Sequence, residues 1–337
     1  MPMTLLMLGG SSFVGRAIVE DAVRRGFAVT TFNRGTNDWS HPAAEHVRGD
    51  RLDPSTFGPF AGRDWDVVAD TWSGAPRATR DVARALAGRV GRYVYVSSCS
   101  VYAPPPPPGA DEGTPTVEAS PDAVDGTYPE LKRGSELAVL EAFGDRVLLA
   151  RPGLILGPHE DVGRLPWWLS RVARGGEVLA PEPADLPLQY VDARDFARFV
   201  LDAATGGHAG PVNVVSRRGH ATMRSLLEAC VRAAGAADAH LTWVAPEAIE
   251  AAGIEPWSEL PIWLPPGHPY AALHDADVER AHSLGLRCRP VEETVADTWA
   301  WLSSLDGPAP LRSDLDPPGV DPERERLALA AGRAPLA

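Results

Sequence analysis

A chain of 337 residues, 44% apolar and 23% charged, is long enough for one large α/β unit with a smaller lobe and ordinary in composition for a globular protein. No apolar run approaches the roughly 20 residues that span a bilayer, and a formal charge of −13, from 32 Lys+Arg against 45 Asp+Glu, argues against nucleic acid or an anionic membrane as partner. Cys99, Cys230 and Cys288 are far apart, fit reduced thiols and offer no metal spacing; with no charged leader before the first strand, a cytoplasmic protein is expected.

The first element is the run from Leu5 to Val19, an apolar strand that meets a glycine turn and continues as an amphipathic helix. Gly9, Gly10, Ser11, Ser12, Phe13, Val14 and Gly15 form the turn. In a parallel sheet this junction aims free backbone N–H groups and the positive end of a helix at a ligand, which suits a pyrophosphate. Gly9 lets the chain turn and Gly15 lets the helix pack close; Ser12 stands at the middle glycine position of Gly-x-x-Gly-x-x-Gly, where its hydroxyl can donate to a phosphate. The helix is expected to end near Arg24-Arg25-Gly26.

A second strand, Phe27 to Phe32, stops at Asn33-Arg34-Gly35. An acidic residue here would grip the 2′-hydroxyl of NAD; Asn33 and Arg34 instead favour the 2′-phosphate of NADP, with NAD still possible. His46 to Asp53 reads as a short third strand and turn, Asp50 being placed to accept from the adenine amino group and Asp53 to cap the next helix. Trp65 to Asp70 is a fourth strand, Val82 to Leu86 lies on the helix after it, and Tyr93 to Val96 is a buried fifth strand running into Ser97-Ser98-Cys99-Ser100-Val101-Tyr102. The alternation implies a doubly wound parallel sheet, the Rossmann arrangement, with a smaller C-terminal substrate lobe.

Five prolines, Pro104 to Pro108, cannot enter a helix and read as a stiff surface loop, or alternatively as bait for a proline-binding domain. Tyr128 and Lys132 stand at helical spacing on a helix through Ala142. Arg146 to Pro158 is another buried strand and glycine-proline turn. Beyond it Asp195 to Ala204 and Thr222 to Ala234 read as helices, the latter capped by Thr222. The expected division is a dinucleotide-binding domain over 1–158 with further elements from 187–215, a substrate lobe over 159–305, and a C-terminal arm over 306–337 that stays out of the core.

The glycine loop, Val96-Ser97-Ser98-x-x-Val101-Tyr102, the Tyr128-x-x-x-Lys132 pair and the segment Arg151-Pro152 to Gly157-Pro158 occur together in order. In this the chain resembles the extended short-chain dehydrogenase/reductase family, which includes NAD(P)-dependent epimerases and dehydratases, over roughly residues 3 to 305. Its glycine loop is similar to that of the branch containing chloroplast stem-loop-binding proteins. The resemblance implies Ser98 as the hydrogen-bond donor to substrate, with Ser97 and Ser100 as competitors. It also implies Tyr128 as the proton-transfer group, Lys132 on the nicotinamide ribose and Pro152 beside the carboxamide. A free phenol, with a pKa of about 10, is a poor base at neutral pH, and an ammonium one helical turn away favours its ionised form.

Family members acting on nucleotide sugars carry polar residues where this chain has Leu154 and Leu156. With Trp167, Trp168, Trp257, Trp263 and Gln189 in the lobe, an apolar pocket is expected, Leu154, Trp167 and Gln189 touching substrate; Arg164, Arg171 and Arg174, which could form a cationic patch, are the opposing evidence. The reading is an NADP-dependent oxidoreductase of a small, partly apolar alcohol or carbonyl compound. Its alternatives are an epimerase or dehydratase of a sugar or sugar nucleotide, and a non-catalytic nucleotide-sensing or RNA-binding module. The resemblance further implies a homodimer through the helices carrying Val82 to Leu86 and Tyr128 to Ala142, the second of which exposes Leu131, Leu137, Val139 and Leu140.

Overall fold

The structure, a computed structural model, describes residues 1–332. Its chain divides into two compact units, the first made of Met1–Gly153, Ala193–Val215 and Ala276–Arg287, the second of Leu154–Asp192, Ser216–Asp275 and Cys288–Ala337. The first boundary thus falls at Gly153 instead of 158, and a late segment, 276–287, returns to the first unit.

Seven strands build the first unit: β1 (Thr4–Leu8), β2 (Ala28–Asn33), β3 (Glu45–Arg48), β4 (Trp65–Asp70), β5 (Val90–Val96), β6 (Val147–Pro152) and β7 (Gly210–Val214). They form one parallel sheet in the order β7-β6-β5-β4-β1-β2-β3. Parallel strands need covering on both faces, and β1, β4, β5 and β6 are accordingly apolar along most of their length. On one face Leu6, Leu8, Val68, Tyr93, Tyr95 and Leu149 pack with Val82, Val139 and Phe143 from α2 (Pro76–Ala85) and α3 (Tyr128–Phe143). On the other, Leu5, Met7, Val67, Val94 and Leu148 are equally buried, each full burial contributing about 1.5–3 kcal/mol. That face is covered by α1 (Phe13–Arg24) and α4 (Ala193–Thr205), which pack together. The strand order reverses between β1 and β4, so the loops leaving these two strands flank the crevice in which such sheets bind ligands.

The second unit pairs the strands Gly176–Pro181 and Ala239–Val244 in parallel and surrounds them with helices Arg164–Ala173, Met223–Ala234, Val291–Leu302 and Pro322–Gly332. The last of these corrects the expectation of an arm. Ala328 and Leu329 belong to the second unit's core, and Arg171 Nε donates to both oxygens of Glu325 at 2.8 and 3.0 Å. Two of the charges that made this stretch look solvated, Arg324 and Glu325, have partners far back in the chain, Glu259 and Arg171; residues 333–337 of the expected arm lie outside the described residues. No described helix is long and apolar enough to cross a membrane.

Candidate active site

The turn after β1 needs its glycines. Gly9 and Gly10 sit at φ +111° and +93°, where side chains are strained, and a Cβ on Gly10 would stand 2.8 Å from Met7 Cγ. On Gly15 it would stand 2.8 Å from the backbone nitrogen of Gly10. The helix and turn are therefore as close as backbones allow. Ser12 has extended geometry at the start of α1 but its side chain caps nothing, and the first turn carries no acidic residue. This cradle fits the phosphates of a dinucleotide, which the α1 N-terminus favours.

Asn33, at the end of β2, donates from Nδ2 to the Gly9 carbonyl at 3.2 Å and accepts the Gly35 N–H at 2.9 Å. It braces the glycine turn. Asp50 Oδ1 accepts the Leu52 N–H at 2.9 Å. Arg34 is exposed, and the structure adds a second guanidinium that spacing along the chain does not reveal: Arg48 is paired with Asn33 in the β2–β3 register, is exposed, and donates from Nε to the Arg34 carbonyl at 3.0 Å. Neither arginine has a carboxylate partner among the described residues. The signal for Arg48 lies in strand register alone.

At the end of β5 the chain turns through Ser97 and Ser98. Ser98 is buried and its Oγ accepts the Ser100 N–H at 3.1 Å, fixing the single helical turn Cys99–Val101. Ser97 is also buried and Ser100 is half-buried. The α3 helix begins where the Glu130 carboxylate accepts the N–H and hydroxyl of Thr127 at 2.7 and 2.8 Å. That anchors the turn bearing Tyr128, which is 45% exposed. Lys132, one turn later, is 3% exposed and donates from Nζ to the carbonyls of Trp72 and Val96 at 2.7 and 2.8 Å. The ammonium thus lies at the carboxyl ends of β4 and β5, 5.1 Å from the ring centre of Tyr95 and 6.0 Å from that of Tyr128. One turn further, Glu136 receives Arg151 in two 2.8 Å bonds, so α3 is tied to β6 just before the buried Pro152.

The second unit places several expected substrate contacts in its interior. Leu154, Leu156, Trp168 and Trp263 are core, the two indoles donating to the carbonyls of Pro261 and Glu182 at 2.8 and 3.0 Å. Leu154 is therefore a packing residue here, and so are two of the four expected wall tryptophans. Gln189 is wholly buried, its amide donating to the Ser216 carbonyl at 2.9 Å. Trp167 and Trp257 remain partly exposed, with the Arg164 guanidinium 5.2 Å from the Trp257 ring centre. Of the three expected arginines Arg171 is committed to Glu325, which leaves Arg174 exposed. Glu160, unremarked in the sequence, is fully buried and accepts the N–H groups of Arg164 and Leu165 at 2.8 and 3.3 Å. Burial pushes its carboxyl up to about 7 against the pull of Arg164 and those N–H bonds.

Among curated proteins the chain is 24% identical over 250 residues to the chloroplast stem-loop binding protein of 41 kDa b of Arabidopsis thaliana, covering 68% of this chain and 63% of that protein. It thus spans less than two thirds of that relative's length. Among solved structures it is similar to the Bordetella bronchiseptica enzyme WbmH in complex with NAD+ (TM-score 0.64, 18% identity, 91% of this chain and 100% of that one). It is also similar to Thermus thermophilus UDP-glucose 4-epimerase in complex with NAD (TM-score 0.62, 20% identity, 90% and 99% covered). These likenesses show the fold. Residues 5–215, more than half of the chain, match the NAD dependent epimerase/dehydratase family, and this protein belongs to that family.

Proposed function

We propose that this enzyme is an NADP-dependent oxidoreductase acting on a small, partly apolar alcohol or carbonyl compound. The observation that carries the reading is the Lys132 ammonium, held on two strand-end carbonyls beside the ring of half-exposed Tyr128. The glycine cradle and the α1 N-terminus would hold the cofactor's phosphates, Arg34 and Arg48 its 2′-phosphate, and Lys132 its nicotinamide ribose. When bound, the cofactor gives or takes a hydride at nicotinamide C4. Ser98 is assigned to orient the substrate oxygen. In reduction the Tyr128 hydroxyl would give that oxygen a proton and become a phenolate, in oxidation the Tyr128 phenolate would take one and become the phenol, and the nearby Lys132 charge stabilises the phenolate in both directions.

An apolar substrate is supported by what the second unit lacks. Arg171 is paired internally, the N-terminus of helix Arg164–Ala173 already faces a buried carboxylate, and the aromatic rings of Trp167 and Trp257 are the expected wall residues that stay partly exposed. Tyr128→Phe is expected to lower turnover of aromatic or alicyclic carbonyl compounds by about 10²–10⁴-fold, followed by NADPH absorbance, with cofactor affinity unchanged. Full activity in that variant would end the reading. The second reading, an epimerase or dehydratase of a sugar nucleotide, draws on the likeness to UDP-glucose 4-epimerase. Micromolar binding of a UDP-, GDP- or dTDP-sugar to the cofactor-loaded protein, measured calorimetrically, would restore it. A homodimer through α2 and α3 is part of the proposal, since Leu131, Leu137 and Leu140 stay only half-buried in the single chain, whereas Val139 is core. A light-scattering mass of one chain at all concentrations would exclude it.

A further inference from the structure

Beneath the candidate site lies a buried polar group to which the proposed reaction gives no role. Asp70, the last residue of β4, has no exposed surface and accepts four hydrogen bonds: two from Arg51 at 2.6 and 2.8 Å, one from the Tyr93 hydroxyl at 2.8 Å, and one from the Trp72 N–H at 2.9 Å. Burial works against both charges of the Asp70–Arg51 pair, and their mutual attraction outweighs it, holding Asp70 below the usual carboxylate range and Arg51 above its ordinary value. Such a pair is weak evidence for stability, because two apolar residues of similar volume often do as well. Its contacts suggest what else it does.

Trp72 is half-buried and held at three points. Its N–H is on Asp70, its indole lies with the Arg51 guanidinium 4.9 Å from the ring centre, and its indole N–H donates to the Ala75 carbonyl at 3.0 Å. The carbonyl of this immobilised residue accepts Lys132 Nζ at 2.7 Å and the Tyr95 hydroxyl at 2.8 Å. A lysine has four rotatable bonds and a compact charge that takes whatever acceptors it finds, so the ammonium is placed only as well as its acceptors are. One of these, Val96, is fixed by the sheet. The other lies in the loop after β4, outside any strand or helix.

We infer that Asp70 is a positioning residue: through Trp72 it fixes the carbonyl that anchors the Lys132 ammonium, with Arg51 and Tyr93 holding its carboxylate in place. This rests on Lys132 touching the cofactor, as proposed above. The expected consequence is that the groups around Asp70 affect cofactor binding only when Lys132 is present.

A double-mutant cycle tests this without a known substrate, the readout being the NADPH dissociation constant from cofactor fluorescence. Tyr93→Phe keeps shape and both buried charges while removing one bond to Asp70, and is expected to weaken NADPH binding about threefold. Asp70→Asn is expected to weaken it about tenfold or more. In the Lys132→Met background neither substitution should change the remaining affinity by more than about 1.5-fold. Equal losses in both backgrounds, or no loss in either, would overturn the inference; Tyr93→Phe supplies the cycle if Asp70→Asn does not fold. Failure of wild-type protein to bind NADPH or NADH would instead remove the reading on which it rests.

Discussion

The two units bury their ion pairs alike, Arg51 with Asp70 in the first and Arg171 with Glu325 in the second, but differ at the charges they leave near their candidate ligand-binding residues. In the first, Arg34, Arg48 and the uncapped N-terminus of α1 stand at strand ends without carboxylate partners among the described residues, and Lys132 rests on carbonyls. In the second, most of the comparable features are satisfied from within, Arg171 by Glu325, Arg289 by Asp192 at 3.5 Å, and the N-terminus of helix Arg164–Ala173 by Glu160, while Arg174 stays exposed. A surface that leaves cations unpaired can receive an anion without first breaking its own bonds. One that has paired them offers an anion less, and this is the ground on which an apolar substrate is proposed above.

The largest expected effect strikes the second unit. Glu325→Ala leaves the Arg171 guanidinium largely buried without its partner, which costs about 3–5 kcal/mol of stability in denaturant unfolding. Arg48→Ala, at an exposed strand end, is expected to stay within about 0.5 kcal/mol of wild type. Similar values for the two would erase the contrast between closed and open charge.

Next in size is a pH effect at Glu160. Its carboxyl is raised in the folded state, so between the ordinary carboxylate range and about 7 the folded protein holds a proton that the unfolded chain has released, and stability falls as pH rises through that window. Glu160→Gln cannot ionise and escapes this loss, which amounts to roughly 3 kcal/mol at most. Its melting temperature relative to wild type should therefore climb from pH 5 to pH 8. A difference independent of pH would show that Glu160 titrates normally.

The smallest effect sharpens the other side. Arg34→Ala and Arg48→Ala are each expected to weaken NADPH binding about tenfold, or 1.4 kcal/mol, while leaving NADH nearly untouched. Equal loss for both cofactors, or a wild type that prefers NADH, would mean that these arginines serve something other than a 2′-phosphate.

Strands β1, β2, β4 and β6 were legible because each is a largely apolar run with glycine, asparagine or aspartate at its end, whereas β3, Glu45-His46-Val47-Arg48, is mostly exposed and was legible only from its place before the Gly49-Asp50 turn. Tyr128 and Lys132 stand at helical spacing, which is common by chance, and it is the resemblance to the family's Tyr-x-x-x-Lys pair that singles them out. Arg48 became a candidate only when strand pairing set it beside Asn33. Trp168 and Trp263 look like pocket walls in the sequence because both fall in the lobe expected to hold substrate, whereas their indoles are bonded into the core. The helix Pro322–Gly332 escapes notice for a related reason. Its arginines and glutamates read as solvated until Glu259 and Arg171 are known to face Arg324 and Glu325. Local periodicity survives in a sequence; a long-range partner leaves no trace in the residues next door.

The discontinuity of the two units bears on how this protein is made. Because the first takes in residues up to Arg287 and the second needs Ala328 and Leu329 for its core, neither can close early in synthesis. At about 5–20 residues per second on a ribosome, β1 to β6 can emerge well before β7 exists to cover the edge of β6. The second unit's strands Gly176–Pro181 and Ala239–Val244 must likewise await the helix that packs on them. The nascent chain therefore carries an unpaired parallel edge on β6 from the time Pro152 emerges until Gly210–Val214 is made.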